Sequence, residues 1–354
     1  MKRVFGVSLL VAAVFAAMLA VAPAASAATI VVQPGDSIQA AVNHASPGDT
    51  IVVRAGVYHE SVVINKDRLT LRGAGPNAGG TILLPPQSSN RCLRGAAGFC
   101  VFGQGTQNGF HRRTGVTVEG FLFRGFPAFG LVGFGVRDLK VQHNFAQNNG
   151  EYGITCFDCA GLTYLYNRAT GSGEAGYYIG DSKNADATVI GNDAWDNLFG
   201  FFFRDANVGR VESNTAHGNC MGFSLLNTGS ANNVHGWTLV NNDAYQNNKS
   251  CPSDEGPPLS GVGIGLLGAS DNQILHNTVR KNQPSGETVI SGGIALLDTT
   301  DTDGGSKPNG NEIRANVLFR NLQYDINDRS GAHGNEFTKN RCKTSSPDGL
   351  CVQP

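Results

Sequence analysis

The chain has 354 residues, of which 40% are hydrophobic and 16% charged, and its formal net charge is −1. Its 47 glycines are nearly twice the usual share, which excludes a helical bundle, and no Gly-X-Y period indicates collagen. Because no basic surface is available to neutralise a phosphate backbone, nucleic-acid binding is excluded as the main role. The composition predicts many short strands joined by tight turns.

The first 27 residues have the pattern of an export signal. Lys2 and Arg3 give a positive start, residues 4–21 form an apolar run, and 25–27 read Ala-Ser-Ala, a small-residue cleavage site. An uncleaved membrane anchor is the alternative, which Pro23 and the small-residue end disfavour. No later run is long and apolar enough to span a bilayer. We therefore expect residues 28–354 to form a secreted, monomeric protein that is not bound to a membrane.

An internal repeat starts near residue 141. One asparagine recurs at steps of 22 to 39 residues, with an apolar residue three positions before it and, except at the last member, a small or apolar residue two positions after it. A second column, asparagine in all members but Ser172, lies five positions after the first seven members. The first column comprises Asn144, Asn167, Asn192, Asn214, Asn242, Asn277, Asn316 and Asn340.

The register of the repeat predicts a solenoid of strands. Apolar positions two apart indicate strands, and segments of three to five residues are too short for helices. We expect each column Asn to take a left-handed conformation at a turn and its side chain to bond along the column. Since one repeat cannot bury its apolar face alone, stacked repeats would share a continuous core.

The repeat resembles the right-handed parallel β-helix proteins of the pectate-lyase-like superfamily, and it is also similar to NosD-type β-helix repeat proteins. The resemblance covers nearly all of residues 28–354, including the segments 29–42 and 47–58. It implies one all-β domain, a parallel β-helix of about ten coils with a short N-terminal capping helix. One face of that helix would carry Ile38, Ala41, Val42 and Ala45, with Asp36 or Ser37 as N-cap.

The eight cysteines form local pairs along the chain. An even number in an oxidising compartment predicts disulfides. Cys220 and Cys251 lie just after the second column on successive repeats, so we expect them to join neighbouring coils. The other expected pairs follow from proximity: Cys92 with Cys100, Cys156 with Cys159, and Cys342 with Cys351. The Cys156–Cys159 CxxC could instead be a redox motif, but it lacks the strand-then-helix context.

By the same resemblance, the strands after the second column form the sheet that carries a substrate groove. Alternation points Ile154 and its equivalents inward and leaves Thr155, Tyr178 and Phe202 outward. Exposed Tyr178 and Phe202 would give a flat sugar face an aromatic platform. Packing under a neighbouring loop is the alternative.

Acidic residues follow these strands, beginning with Asp158, Asp181 and Asp205. Because neighbouring coils lie about 4.8 Å apart, such carboxylates suit a bridging cation such as Ca²⁺, or the spacings used by glycosidases. The alternative is that Asp is simply a turn residue. A second segment resembles an oxygen-rich calcium loop, with a solvated acidic loop as its alternative; its carboxylates are Asp298, Asp301 and Asp303.

Arg204 stands outward in the middle of this face, where its planar fork could bind a uronate carboxylate. In several pectate-lyase-like families an Arg or Lys abstracts the C5 proton while a cation neutralises the carboxylate. By that resemblance Arg204 matches the catalytic role, with Lys183 second and Asp205 beside it. The alternative is a salt bridge from Arg204 to Asp205 or Asp181. The longer repeats and the excursion 85–113 would supply loops beside a groove here.

Two classes of function remain open. The favoured one is a secreted polysaccharide lyase that acts on an acidic glycan such as pectate or alginate. The other is a non-catalytic glycan-binding or accessory β-helix, because no polygalacturonase or pectinesterase signature is present; a hydrolase or epimerase could use the same groove. The fold hosts many reactions, so the sequence identifies neither the glycan nor the bond.

Overall fold

The structure, a computed structural model, describes residues 27–89, 91–106, 109–229, 234–252, 256–301 and 304–352. The predicted export signal, apart from Ala27, lies outside these residues. In the described part, three long sheets of parallel strands run side by side along a single solenoid. None of the helices in these ranges is long and apolar enough to cross a membrane.

Each sheet takes one strand from successive coils, in chain order. Sheet A has 12 strands: Thr29–Val32, Thr50–Val53, Thr70–Arg72, Thr117–Glu119, Lys140–Gln142, Thr163–Leu165, Ala187–Ile190, Gly209–Glu212, Trp237–Val240, Gln273–Leu275, Glu312–Arg314 and Glu336–Thr338. Sheet B has 10: Gly56–His59, Thr81–Leu84, Phe121–Arg124, Phe145–Gln147, Arg168–Thr170, Asp193–Trp195, Thr215–His217, Asp243–Tyr245, Thr278–Arg280 and Val317–Phe319. Sheet C has 11: Val62–Ile64, Ala97–Phe102, Phe129–Phe134, Tyr152–Phe157, Ala175–Gly180, Phe199–Arg204, Met221–Leu226, Val262–Leu267, Gly292–Leu297, Ile326–Arg329 and Ser345–Ser346.

The remaining elements border the solenoid. A hairpin joins Gln104–Thr106 to Gly109–His111, and Arg113–Thr114 pairs with Val136–Arg137. A short 3₁₀ helix spans Leu93–Gly95. The strands of sheets A and B are mostly three or four residues long, and those of sheet C mostly six, so sheet C offers the widest face.

The predicted N-terminal cap is confirmed as a helix over Ile38–His44. The Ser37 hydroxyl accepts a hydrogen bond from the Ala40 N–H, which makes Ser37 rather than Asp36 the N-cap. The residues expected on one face, Ile38, Ala41, Val42 and Ala45, are buried in the main core. The helix therefore closes the open end of that core to water.

Asparagine ladders connect the coils as the repeat predicts. The Asn144 N–H donates to Asn167 Oδ1 over 2.9 Å, and the same bond recurs at each step to Asn340. The second column forms a parallel ladder from Asn197 to Asn321. These buried amides satisfy backbone groups that the turns leave without strand partners.

The prediction that the ladder asparagines take the left-handed conformation is wrong. Positive φ falls one position earlier, at His143, Tyr166, Gly191, Ser213, Asn241, His276, Ala315 and Lys339. The residue before the asparagine makes the bend, and this turns the amide inward to bond with the next coil. A third ladder, which the sequence analysis missed, links Asn272, Asn311 and Asn335 at another corner.

The four predicted disulfides are all present: Cys92–Cys100, Cys156–Cys159, Cys220–Cys251 and Cys342–Cys351. Cys220 and Cys251 join successive coils, as expected. The Cys156–Cys159 bridge spans three residues at the end of a sheet C strand, and both sulfur-bearing residues are buried. Four disulfides are consistent with an oxidising compartment.

Candidate functional site

The outer face of sheet C is the face that the sequence analysis assigned to function. The inward positions are confirmed: Ile154, Tyr177 and Phe201 are buried in the core inside the coils. The residues between them point away from that core and form a second apolar cluster on the outside, which includes Tyr178 and Phe202. Alternation therefore gave the correct orientation for this sheet.

The expected aromatic platform is not exposed, so that prediction is wrong. Tyr178 and Phe202 are 2% and 3% exposed, and Thr155 is fully buried. Tyr178 stacks on Tyr152 with ring centroids 4.5 Å apart, and Phe202 stacks on Phe199 at 4.3 Å. Neighbouring outward residues cover these three side chains, so they are not available to bind a sugar.

The accessible rings lie two residues further along the strands. Phe102, Phe134 and Phe157 occupy one register position on three successive coils. Phe134 is 48% exposed, and the other two are half-buried. We call these three residues the aromatic patch. This patch was not among the predicted site residues, although the same alternation places it on the outward side.

Arg204 occupies this register position two coils beyond Phe157, after Gly180. Its side chain is 45% exposed, and its ion pair with Asp205 is a single Nε contact at 3.7 Å. This ion pair is the salt bridge that the sequence left open as the alternative role of Arg204. The guanidinium is nevertheless partly exposed, two coils from Phe157 of the aromatic patch. Its role in binding a carboxylate remains a prediction.

Asp205 itself is buried and holds a turn. Its carboxylate accepts hydrogen bonds from the backbone N–H of Thr228, over 2.8 Å, and from the Thr228 hydroxyl. Both carboxylate oxygens are therefore used within the protein. This is the turn role that the sequence analysis kept as the alternative for the acidic column, and it leaves Asp205 unsuited to direct catalysis.

The rest of the column follows the same backbone geometry. Asp158, Asp181 and Asp205 all have φ near +50°, so each makes a left-handed turn after its strand. Asp158 pairs with Arg112, whose Nη2 lies 2.7 Å from Asp158 Oδ1. Asp181 is exposed, and partial burial raises the pKa of its carboxyl; Arg204 opposes that rise, and Asp205 and Asp158 add to it.

The Tyr178 side chain lies over Gly180. A Cβ atom at Gly180 would lie 2.2 Å from the Tyr178 hydroxyl oxygen, so the tyrosine side chain lies across a position that must lack a side chain. Burial raises the pKa of Tyr178; nearby Arg204 opposes the rise, and Asp181 and Glu174 add to it. Arg204 and Asp181 thus act in opposite directions on the pKa of Tyr178, and burial keeps the tyrosine neutral.

The other candidate residues lie elsewhere in the protein. Lys183 is exposed on the turn after Asp181. Asp298 accepts hydrogen bonds from Thr300 and lies 3.7 Å from Lys307; Asp301 is exposed, and Asp303 falls outside the described residues. No group of three or more His, Cys, Asp or Glu in the described ranges could hold a metal ion. The calcium site therefore remains a prediction.

Loops limit which part of the face is open. The Cys220–Cys251 bridge ties down residues 248–252, and Leu259 lies in one apolar cluster with Val262 and Ile290. At the other end, the hairpin of 104–111 is followed by Arg112, bound to Asp158, and Arg113, which lies 3.1 Å from Asp67. The aromatic patch and Arg204 lie between these two borders.

Comparison with known proteins agrees with this architecture. Residues 88–239 match the family model described as a right handed beta helix region. No curated protein matches the sequence significantly. Among solved structures, the A-module of Azotobacter vinelandii mannuronan C-5 epimerase AlgE6 is 18% identical with a TM-score of 0.61, covering 86% of this chain and 88% of the module.

Two further structures share the fold. The DFA-IIIase from Arthrobacter chlorophenolicus A6, without its lid, is 15% identical with a TM-score of 0.60, covering 87% of this chain and 86% of the enzyme. The Dettilon tailspike protein is 16% identical with a TM-score of 0.52, covering 89% of this chain and 68% of its own. At these identities the likeness concerns the fold, and it confirms what the repeat implied: the chain is a right-handed parallel β-helix.

Proposed function

We propose that this chain is a secreted, carbohydrate-active β-helix protein that binds an acidic glycan across the outer face of sheet C. The observation that carries the proposal is Arg204, a guanidinium that is 45% exposed although it lies 3.7 Å from Asp205, in register with the aromatic patch. Two of the similar structures are a mannuronan C-5 epimerase module and a DFA-IIIase, which supports a carbohydrate ligand.

The chemistry of the face suits such a ligand. The planar fork of Arg204 can bind a carboxylate through two parallel hydrogen bonds. The rings of Phe134 and Phe157 can cover the apolar face of a neighbouring sugar. A glycan that runs along the solenoid would contact one coil after another, at about 4.8 Å per coil.

The favoured reaction is β-elimination at the sugar held by Arg204. Pairing of the uronate carboxylate with Arg204 makes the C5 proton more acidic. Asp181, exposed on the turn after the neighbouring strand, takes that proton; the C–H electrons form the C4–C5 double bond, and the C4–O bond breaks. Solvent water donates a proton to the leaving oxygen, because Tyr178 is buried. Asp205 holds the turn beside these groups rather than reacting.

One observation favours the second candidate, a non-catalytic glycan-binding protein. Tyr178 is only 2% exposed, so its hydroxyl is not available to donate a proton to a leaving oxygen. Binding through Arg204 and the aromatic patch does not require a proton donor.

Two measurements on the same samples separate the candidates. The protein is incubated with a panel of acidic polysaccharides, with calcium or with chelator. Ultraviolet absorbance of unsaturated uronates reports cleavage, and calorimetry reports binding. Arg204→Lys keeps the charge but loses the planar fork, so turnover should fall at least tenfold. Arg210→Ala is the matched control, because Arg210 is an exposed, ion-paired arginine on sheet A.

Each result has a clear meaning. Cleavage that depends on Arg204 supports the lyase. Binding without cleavage supports the second candidate. If an active glycan is found and Arg204→Ala retains full activity and affinity, the site lies elsewhere.

A further inference from the structure

The register position of Arg204 can be followed over the whole outer face of sheet C. On its N-terminal side lie Gly180 and the aromatic patch. On its C-terminal side the next four coils carry Leu226, Leu267, Leu297 and Arg329. From Phe102 to Arg329 this position therefore holds two cations, Arg204 and Arg329. They are four coils apart, about 19 Å at roughly 4.8 Å per coil.

Most bordering charges are already matched by partners in the protein. Arg112 is bound to Asp158, and Lys307 lies 3.7 Å from Asp298. Arg329 donates a hydrogen bond to the carbonyl of Val289 over 2.8 Å. The turns that follow the strands bring carboxylates to the same edge of the face. Arg204 likewise lies 3.7 Å from Asp205, but its side chain is 45% exposed, and it is closer than Arg329 to the aromatic patch. A ligand carboxylate at this position would therefore bind at Arg204.

A polyuronate would bind this face weakly. It carries a carboxylate on every sugar, so the sugars on either side of the one at Arg204 would place their charges over Gly180 and then Phe157, or over Leu226 and then Leu267. A charge that loses water without gaining a partner is costly. The acidic turns, with exposed Asp181 among them, would add like-charge repulsion. Uncharged sugars would contact the same side chains without either cost.

We propose that the glycan bound here is a heteropolysaccharide in which each acidic sugar is separated from the next by several uncharged sugars. This inference rests on the proposed function, since it requires a glycan at Arg204. The acidic sugar would bind Arg204, and uncharged sugars would lie on the aromatic patch on one side and on Leu226 and Leu267 on the other.

The test compares matched glycans that differ in charge density. Calorimetry with the purified protein, in chelator, would use polygalacturonate against highly methyl-esterified pectin, which has the same backbone with few free carboxylates. A second pair is glucuronoxylan, with isolated acidic branches, against unsubstituted xylan. We expect at least one of the two sparsely charged glycans to bind at least tenfold more tightly than polygalacturonate. Arg204→Gln should remove at least tenfold of that affinity, and Arg210→Ala should not.

The outcomes are distinguishable. Arg204-dependent binding that is tightest for polygalacturonate would overturn the sparse-charge inference but leave glycan binding at Arg204 intact. Binding to none of the four glycans, or binding that Arg204→Gln does not weaken, would overturn both. Equal affinity for xylan and glucuronoxylan would also count against an acidic sugar at Arg204.

Discussion

Replacing one interior ladder residue tests whether the asparagines hold the coils together. Asn192 is 1% exposed and bonds in both directions along its column. Its Oδ1 accepts from the Asn167 backbone N–H over 2.9 Å, and its Nδ2 donates to the carbonyl of Tyr164 over 2.9 Å. Asn192→Ala removes these two bonds and those that the same side chain makes to Asn167 Nδ2, the Ile190 carbonyl and Asn214 Oδ1, at a site that water does not reach.

The expected cost follows from these two groups. A buried polar group without a partner costs about 1–3 kcal/mol, so losing the partners of the Asn167 N–H and the Tyr164 carbonyl should cost about 2–6 kcal/mol. Urea unfolding followed by circular dichroism would measure it, with the slope of the transition unchanged. Asn184→Ala is the control, because Asn184 is exposed on a turn, and it should change stability by less than about 0.5 kcal/mol. A loss below about 1 kcal/mol for Asn192→Ala would refute the assigned role of the ladder.

Three further changes test other parts of the structure. Gly180→Ala should destabilise by about 1–3 kcal/mol and lower the melting temperature, since its Cβ would overlap Tyr178; Gly256→Ala, in open space, should not. Partial burial raises the pKa of Asp181 above its ordinary value of 3.8. The folded protein therefore loses free energy of unfolding as the pH rises above that value and the carboxyl ionises. Asp181→Asn should therefore gain stability relative to the parent between pH 4 and 7 in urea titrations, and an unchanged difference would contradict this. Ser37→Ala should cost about 1 kcal/mol in the same assay by removing the N-cap, and a neutral result would mean that the cap bond contributes nothing.

The fold could be predicted because its rules repeat. Every coil needs apolar residues two apart and an amide at a fixed place, so eight copies of one pattern specify register, core and ladder together. The disulfide between Cys220 and Cys251 followed from the same register. The left-handed residue was misplaced by one position, because the pattern marks the amide that bonds and not the residue that turns the chain.

The candidate site was less predictable because its residues contact residues that are distant in the sequence. Alternation pointed Tyr178 and Phe202 outward correctly, but their burial depends on rings from neighbouring coils, such as Tyr152 and Phe199. The pairing of Arg112 with Asp158 joins residues 46 positions apart, through an excursion that no repeat describes. The outward orientation of Arg204 could be predicted because it lies within the repeat, where its strand fixes its direction.

The number of residues in a coil does not change the geometry of the asparagine ladder. The backbone-to-amide bond is 2.9 Å whether the asparagines are 23, 35 or 39 residues apart in sequence. Doubling a flexible loop costs only about 0.6 kcal/mol in closure entropy. Segments between ladder positions can therefore be lengthened, shortened or exchanged while the frame stays in place. New loops beside Arg204 could thus be grafted to change ligand preference, which makes the chain a modular scaffold for building binding proteins.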